Sequence, residues 1–453
     1  MNNAPLRDFM RFCTVSGKSY LSSGGAASRI EEQLCRLGAT FGITAEIYAT
    51  PTGFFVSAKD RAHPDTITVF VRVKESAVSL SRLQIIESMI GFLNDGSMTF
   101  KEAARRAEAG LAGGESRPWG IHLAVLMTGF SSSFAIYRDG RAALLSAITA
   151  LLVFRTGVLF LKSARLSGVF ADFIKCTATF LVSGFFCLLA GVSVEACAIG
   201  ALVIVAPGLT WVTAVSELAD HDLVSGTSKL MRGGLTLLAM GTSYGICREG
   251  ASHFFPSLAL QAAPAAHPSF LTQILAMSML TAGFSVLLDI PKRDYLAAFS
   301  IGLIGWLIAR VLESPSSIIL SVFSSSVFVG LASSAASRFL KSPLQIYAVP
   351  GILTLLPGMV GFLSFQSMVR GQFGVGVELS FKVFLLAGSI VFGLLSARLL
   401  TGDLAAVNDR PHGGEAGQDP SQDPSQDPFQ DAFQEPRGNS TQESFAFMER
   451  RVI

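Results

Sequence analysis

"ALVIVAPGLTWVTAV" (residues 201–215) and "GILTLLPGMVGFL" (residues 351–363) decide the fold. Both are apolar runs, and each is interrupted by a Pro-Gly pair, Pro207-Gly208 in the first and Pro357-Gly358 in the second. Proline removes a backbone donor and crowds the preceding turn, and glycine weakens a helix further. Hydrocarbon has no water to satisfy the freed carbonyls, so such a break survives in a bilayer only where protein or an aqueous cavity takes them up. Two breaks at matching points of a repeated unit point to a site built from discontinuous helices, as in secondary transporters.

The composition agrees. Half of the 453 residues are hydrophobic and 15% are charged, with a mean hydropathy of +0.50. The charges gather before residue 118 and after residue 402, and the apolar stretch between has room for about ten spans of about 20 residues. A net charge of +2, with no basic stripe interleaved with aromatics, gives no reason to expect nucleic acid. The six cysteines form no CxxC pair and have no histidine at metal-ligand spacing, so neither metal nor cofactor is expected. Residues 1–20 carry no apolar signal segment, so the N-terminal part is expected to stay in the cytoplasm.

Four segments follow. Residues 1–118 read as a small soluble α+β domain: "ASRIEEQLCRLGATFG" (27–42) puts Ile30, Leu34, Leu37 and Phe41 on one helix face. The runs "ITAEIYA", "GFFVSA" and "TITVFVRV" read as strands, the first two joined at Pro51-Thr52-Gly53. Helices near Leu80–Leu93 and Thr99–Leu111 complete it. Residues 119–250 and 269–402 read as two five-helix membrane repeats. The expected spans are Trp119–Tyr137, Ala142–Leu161, Val169–Ala190, Val194–Val215 and Leu230–Cys247, then Phe270–Ile290, Tyr295–Leu312, Ser317–Ala335, Gln345–Phe365 and Gly376–Leu400. Residues 403–453, with "GQDPSQDPSQDPFQDAFQEP", lack the apolar surface to fold and read as a disordered cytoplasmic tail.

The halves align with one another. "GFSSSFAIYRDGRAALLSAI" from Gly129 lies over "GFSVLLDIPKRDYLAAFSIG" from Gly283, an offset of 154, against 150 between Pro207 and Pro357. Five spans is an odd number, so the second copy enters from the opposite side, an inverted repeat. Basic residues before the first span (Arg105, Arg106, Arg117), after the second (Lys162, Arg165), after the sixth (Lys292, Arg293) and after the eighth (Arg338, Lys341) place both termini in the cytoplasm.

Candidate site residues follow from the breaks. The half-helix N-termini at Pro207, Gly208, Pro357 and Gly358 attract a carboxylate, and exposed carbonyls hold an ammonium. Thr210, Thr213 and Thr354 supply hydroxyls. Glu217, Asp172 and Asp220 are the candidates for moving protons. Against this, Asp172 and Lys175 are three apart on one face and neutralise one another equally well, Asp220 and Asp222 read as a solvated loop, and Arg155 and Glu195 snorkel from span ends. The hydroxyl-rich "GFSSSF" and "SVFSSSVFVGLASSAAS" suit close helix packing. No GxSxG, phosphate loop or HExxH is present, and a nucleophile from Ser28 or Cys35 with His63 is the weakest reading.

With these residues in view, the chain resembles the threonine/serine exporter family, whose two-component relatives are implicated in succinate export. The resemblance covers residues 8–402 and rests on "GGAASRIEE", "ATPTGFFVS" and "VSLSRL", on "APGLTWVTAVSELADHDLVSGTSKLMRGG", and on "VPGILTLLPG". Glu217 stands where the family's pattern has aspartate, and Lys229 where it has arginine. The resemblance implies an inner-membrane exporter driven by the proton-motive force, with threonine and serine as substrates. It leaves open a dicarboxylate exporter, a hydrolase or sensor role for the soluble part, and a homo-oligomer. The expected partners are a small amino acid, protons and membrane lipid.

Overall fold

The computed structural model describes residues 4–60, 65–73, 78–113, 118–158, 168–254, 269–314, 318–355 and 358–402. Pro357, the basic residues Arg117, Lys162 and Arg165, His63 and the tail 403–453 lie outside them.

The N-terminal layer comprises α1 (Ala4–Ser22), α2 (Ala27–Thr40), β1 (Ile43–Thr50), β2 (Gly53–Asp60), β3 (Ile67–Arg72), α3 (Leu80–Asn94) and α4 (Phe100–Gly113). The strands form an antiparallel sheet in the order β1-β2-β3, and Thr50 pairs with Gly53 across the Pro51-Thr52 turn. Alternation sets the faces: Phe54, Val56 and Ala58 of β2 are buried. Beneath them lies α1, a helix that carries Leu6, Phe9, Met10, Cys13 and Tyr20 into the core. Gly17 makes this crossing possible, because a Cβ there would meet the Phe54 ring at 2.3 Å.

The helical layer runs α5 (Pro118–Tyr137), α6 (Gly140–Thr156), α7 (Val169–Ala190), α8 (Val194–Val205), α9 (Gly208–Ala219) and α10 (Leu223–Phe254), then α11 (Phe270–Leu287), α12 (Tyr295–Leu312), α13 (Ile318–Leu340), α14 (Gln345–Leu353), α15 (Gly358–Val369) and α16 (Phe373–Thr401). Among the described residues seven helical segments are long and apolar enough to cross a membrane, the broken α8–α9 pair counting as one. The chain is a polytopic membrane protein with a small N-terminal sheet. On α7, Phe170 (58% exposed), Leu181 (63%) and Leu189 (68%) face outward, a surface that only lipid or another apolar partner satisfies.

Hydroxyls and glycines fill the inside. Ser133 Oγ donates to Ala196 O (2.7 Å), Ser146 Oγ accepts from Gly200 N (3.0 Å), and Ser325 Oγ donates to Gly305 O (2.5 Å). Each ties one helix to the next, the packing use of the serine-rich stretches.

Two turns of this layer are alike at a spacing of 150 residues, the interval from His221 to Gly371. After α9, Asp222 N donates to Glu217 O (2.8 Å) and His221 takes φ 63°; after α15, Gln372 N donates to Ser367 O (2.9 Å) and Gly371 takes φ 80°. A Cβ on Gly226 would meet Leu218 at 2.6 Å, and one on Gly376 would meet Met368 at 2.4 Å. The bends before the broken helices also correspond, with φ 65° at Gly191 and 52° at Lys341. Neighbours match: α6 packs on α8 and α7 on α10, as α12 packs on α14 and α13 on α16.

The N-terminal layer is bonded to the near ends of the second half. Leu80 N donates to Leu288 O (2.9 Å) and Ser81 N to Asp289 O (3.1 Å), while Ser79 Oγ donates to Asp289 Oδ2 (2.9 Å) and Ser81 Oγ bonds the same oxygen. Gln84 Nε2 donates to Ser342 Oγ (3.1 Å). Leu288, Ile301, Val329 and Tyr347 share one apolar cluster with the N-terminal core.

Candidate functional site

The first break is a two-residue interruption. Ala206 ends α8 with φ −57° and ψ 131°, extended rather than helical, and Pro207 (φ −82°, ψ 33°) caps α9. Lacking an N–H, Pro207 leaves the carbonyl of Val203 without its helical donor. Pro207 and Gly208 are buried. At the second break Leu353 ends α14, Thr354 and Leu355 form a turn, and Gly358 opens α15.

The threonines expected to offer hydroxyls are engaged locally. Thr213 Oγ1 donates to Thr210 O (3.0 Å), and Thr354 Oγ1 donates to Gly351 O (2.7 Å) and Gly302 O (3.3 Å). Thr210 lies half-buried on the first turn of α9.

The acidic candidates take three different positions. Asp172 pairs with Lys175 (3.0 Å) and accepts from Thr236 Oγ1 (3.3 Å), so the neutralising pair is formed. Asp220 is exposed at the end of α9, and Asp222 accepts from Ser225 N (3.2 Å) as an N-cap of α10. Glu217 is different: it is 3% exposed and ion-paired with Lys229 across the α9–α10 turn.

The sequence reading missed the constellation that the fold assembles between α8 and α15. These half-helices, one from each broken helix, face each other across a narrow pocket lined by Ala198, Ile199 and Leu202 on one side and Phe362 on the other, with Phe180 and Tyr137 beside them. Phe180, Tyr244 and Phe362 pack as a ring cluster, with centroids 5.4 and 6.1 Å apart. At the pocket mouth Glu195, from the first turn of α8, forms an ion pair with Arg370 and accepts at the same oxygen, Oε1, from Gln366 Nε2 (3.0 Å) and Tyr244 OH (3.3 Å). Arg370 Nε donates to Tyr244 OH (3.0 Å) and its guanidinium stands 5.9 Å from that ring. Tyr137 ends α5, whose other end follows the N-terminal layer. The mouth is therefore on the far face. Glu195 signals nothing alone, since its partner is 175 residues away in sequence.

Among the described residues no three of His, Cys, Asp and Glu converge as metal ligands. In the N-terminal layer, burial pushes the Cys35 thiol up, away from the thiolate a nucleophile needs.

No curated protein and no solved structure matches the chain. Residues 11–248 match the sequence model of a threonine/serine exporter family, and residues 273–400 match a second model of that description. These stretches take in the N-terminal layer, both broken helices and both sides of the pocket, and their function is export across a membrane. The chain belongs to the threonine/serine exporter family.

Proposed function

We propose that the chain exports threonine and serine across the inner membrane, driven by the proton-motive force, by alternating access between two inverted five-helix repeats. Both termini are cytoplasmic in this reading, and the N-terminal layer is a soluble domain on the near face. One observation carries it: α8 and α15, a half-helix from each break, line the two walls of one pocket. The equivalent turns at 150 residues support the repeat, and five spans per copy make it inverted.

Pro207, Gly208, Pro357 and Gly358 shape the centre of the path in this proposal, with Thr210, Thr213 and Thr354 beside it. Glu217 is the leading proton carrier, because protonating a buried carboxylate releases the amine it holds. Asp172, paired with Lys175, and Asp220, exposed, are secondary carriers.

The test is efflux from cells preloaded with labelled threonine, serine or succinate. Threonine and serine leave faster with the chain than without it, and collapsing the proton gradient or introducing Pro207→Ala abolishes the gain at equal expression. Efflux of succinate alone moves the assignment to dicarboxylates. Efflux of none, with the protein in the membrane, removes the exporter reading for these substrates.

A further inference from the structure

We propose that Glu195, Arg370, Gln366 and Tyr244 form a far-face recognition subsite for a zwitterionic amino acid, in which the Glu195–Arg370 ion pair is exchanged for two ion pairs with the ligand. The proposal rests on the transporter reading and assigns residues and ligand chemistry to the path.

Leu202, on the pocket wall, is one turn from Ala206, where α8 stops. The pocket therefore runs from one turn short of the break to the charged mouth along a single half-helix, and on α15 it runs from Phe362, four residues beyond Gly358, to Gln366. A ligand that leaves the breaks on this face passes these four side chains.

Glu195 and Arg370 form the ion pair at the mouth, with exposures of 18% and 30%, and a second guanidinium, Arg248, donates to Val369 O beside it (3.3 Å). Separating the pair in a half-buried place leaves each member without its partner, which is costly. An α-amino acid removes that cost, since its ammonium takes Glu195 and its carboxylate takes Arg370, bidentate where the fork allows. A dicarboxylate offers Glu195 a like charge, and a hydroxy acid offers it no cation. Gln366 and Tyr244 already donate to Glu195 Oε1, and they are placed to bond a side-chain hydroxyl once the pair opens. The gap between Ala198, Ile199 and Phe180 holds no more than about one water while the pair is closed, so the ligand enters only as the pair opens.

At the spacing of 150 residues, Glu195 corresponds to Gln345 and Arg370 to Asp220, and these are not an acid–base pair. The corresponding corner thus closes without an ion pair between these two positions.

The test uses the full chain in proteoliposomes and measures threonine exchange against external threonine, serine, succinate and a 2-hydroxy acid. Variants are Glu195→Gln, Arg370→Gln and the doubly neutral Glu195→Gln/Arg370→Gln, which keeps hydrogen-bonding groups and leaves no lone charge. Half-saturation for threonine rises by about tenfold or more in each, and Glu195→Gln narrows the preference for threonine over the hydroxy acid. Threonine also raises the melting temperature of the intact chain in detergent, and the double variant loses that shift while its ligand-free melting temperature stays near wild type. Unchanged half-saturation and an unchanged ligand shift in the double variant, with threonine still transported, overturn the subsite but keep the exporter. A fallen ligand-free melting temperature with an unchanged ligand shift marks the pair as a structural latch and also overturns it. Absence of amino-acid exchange by the intact chain overturns both.

Discussion

The hydroxyl of Tyr347 donates to Asp294 Oδ1 over 2.6 Å, and neither side chain reaches solvent. Asp294 precedes α12 and Tyr347 stands in α14, just before the second break, so this bond ties a broken helix to its neighbour. The same carboxylate accepts from Ser342 Oγ (3.1 Å) and Arg293 Nε (3.2 Å), and Ser342 in turn accepts from Gln84 of the N-terminal layer. Three elements are thereby fixed at one buried acid.

Tyr347→Phe removes one donor from a buried carboxylate while leaving the ring in place. The expected cost is about 1–3 kcal/mol, read as a fall in melting temperature of the purified chain in detergent. An unchanged melting temperature would show that the remaining donors suffice.

Glu217 and Lys229 give a sharper contrast. Lys229→Ala leaves Glu217, 3% exposed, without its counter-charge, and the expected loss is about 3–5 kcal/mol. The double change Glu217→Gln/Lys229→Gln costs less than Lys229→Ala alone, because no charge is stranded. A double-mutant cycle of melting temperatures measures this, and simple additivity would contradict a coupled pair.

Glu31 gives the pH dependence. Its Oε1 accepts from Ala49 N (2.5 Å), but burial outweighs that bond and Asp222 adds like charge, so the carboxyl is pushed up to about 7 from 4.5. A carboxyl whose folded value lies above its unfolded value weakens the fold on ionising. Stability is therefore fullest below pH 4.5 and is lost as pH rises through about 7. Glu31→Gln removes this loss, on the order of 1 kcal/mol after solvent screening. The melting temperature of the variant falls less than that of wild type between pH 5 and pH 8; parallel curves would contradict the assignment.

Gly200 tests the close approach of α5, α6 and α8. A Cβ there would meet Ser146 Oγ at 2.4 Å and Gly129 O at 2.5 Å, one of them rigid backbone. Gly200→Ala should cost about 1–3 kcal/mol and reduce the folded yield, whereas Gly234→Ala, with open space around it, should not.

What was legible in the sequence was local. Pro207-Gly208 announces its break because both residues act on the backbone they belong to. The three strands follow from alternation, and Pro51-Thr52-Gly53 names its own turn. Asp172 and Lys175 were readable as a pair because three residues on a helix is one neighbour. α1 was missed although Leu6, Phe9, Cys13 and Tyr20 follow helical spacing, since charged and polar residues between them blur the face. Glu217 was singled out, but its partner Lys229 lies beyond a helix–turn–helix. The Glu195–Arg370 mouth could not be read at all, because only the meeting of two half-helices from different halves of the chain brings those residues together. The docking of Ser79 and Ser81 on Asp289 is of the same kind, a contact made by topology over 210 residues of chain.

The most direct measurement of the central claim is threonine flux in proteoliposomes holding only the purified chain, with an imposed pH gradient of either sign. Proton-coupled export requires threonine and serine movement that follows the sign of the gradient, stops with a protonophore, and is lost in Pro207→Ala. Flux indifferent to the gradient would contradict proton coupling, and no flux from correctly inserted protein would contradict amino-acid export itself.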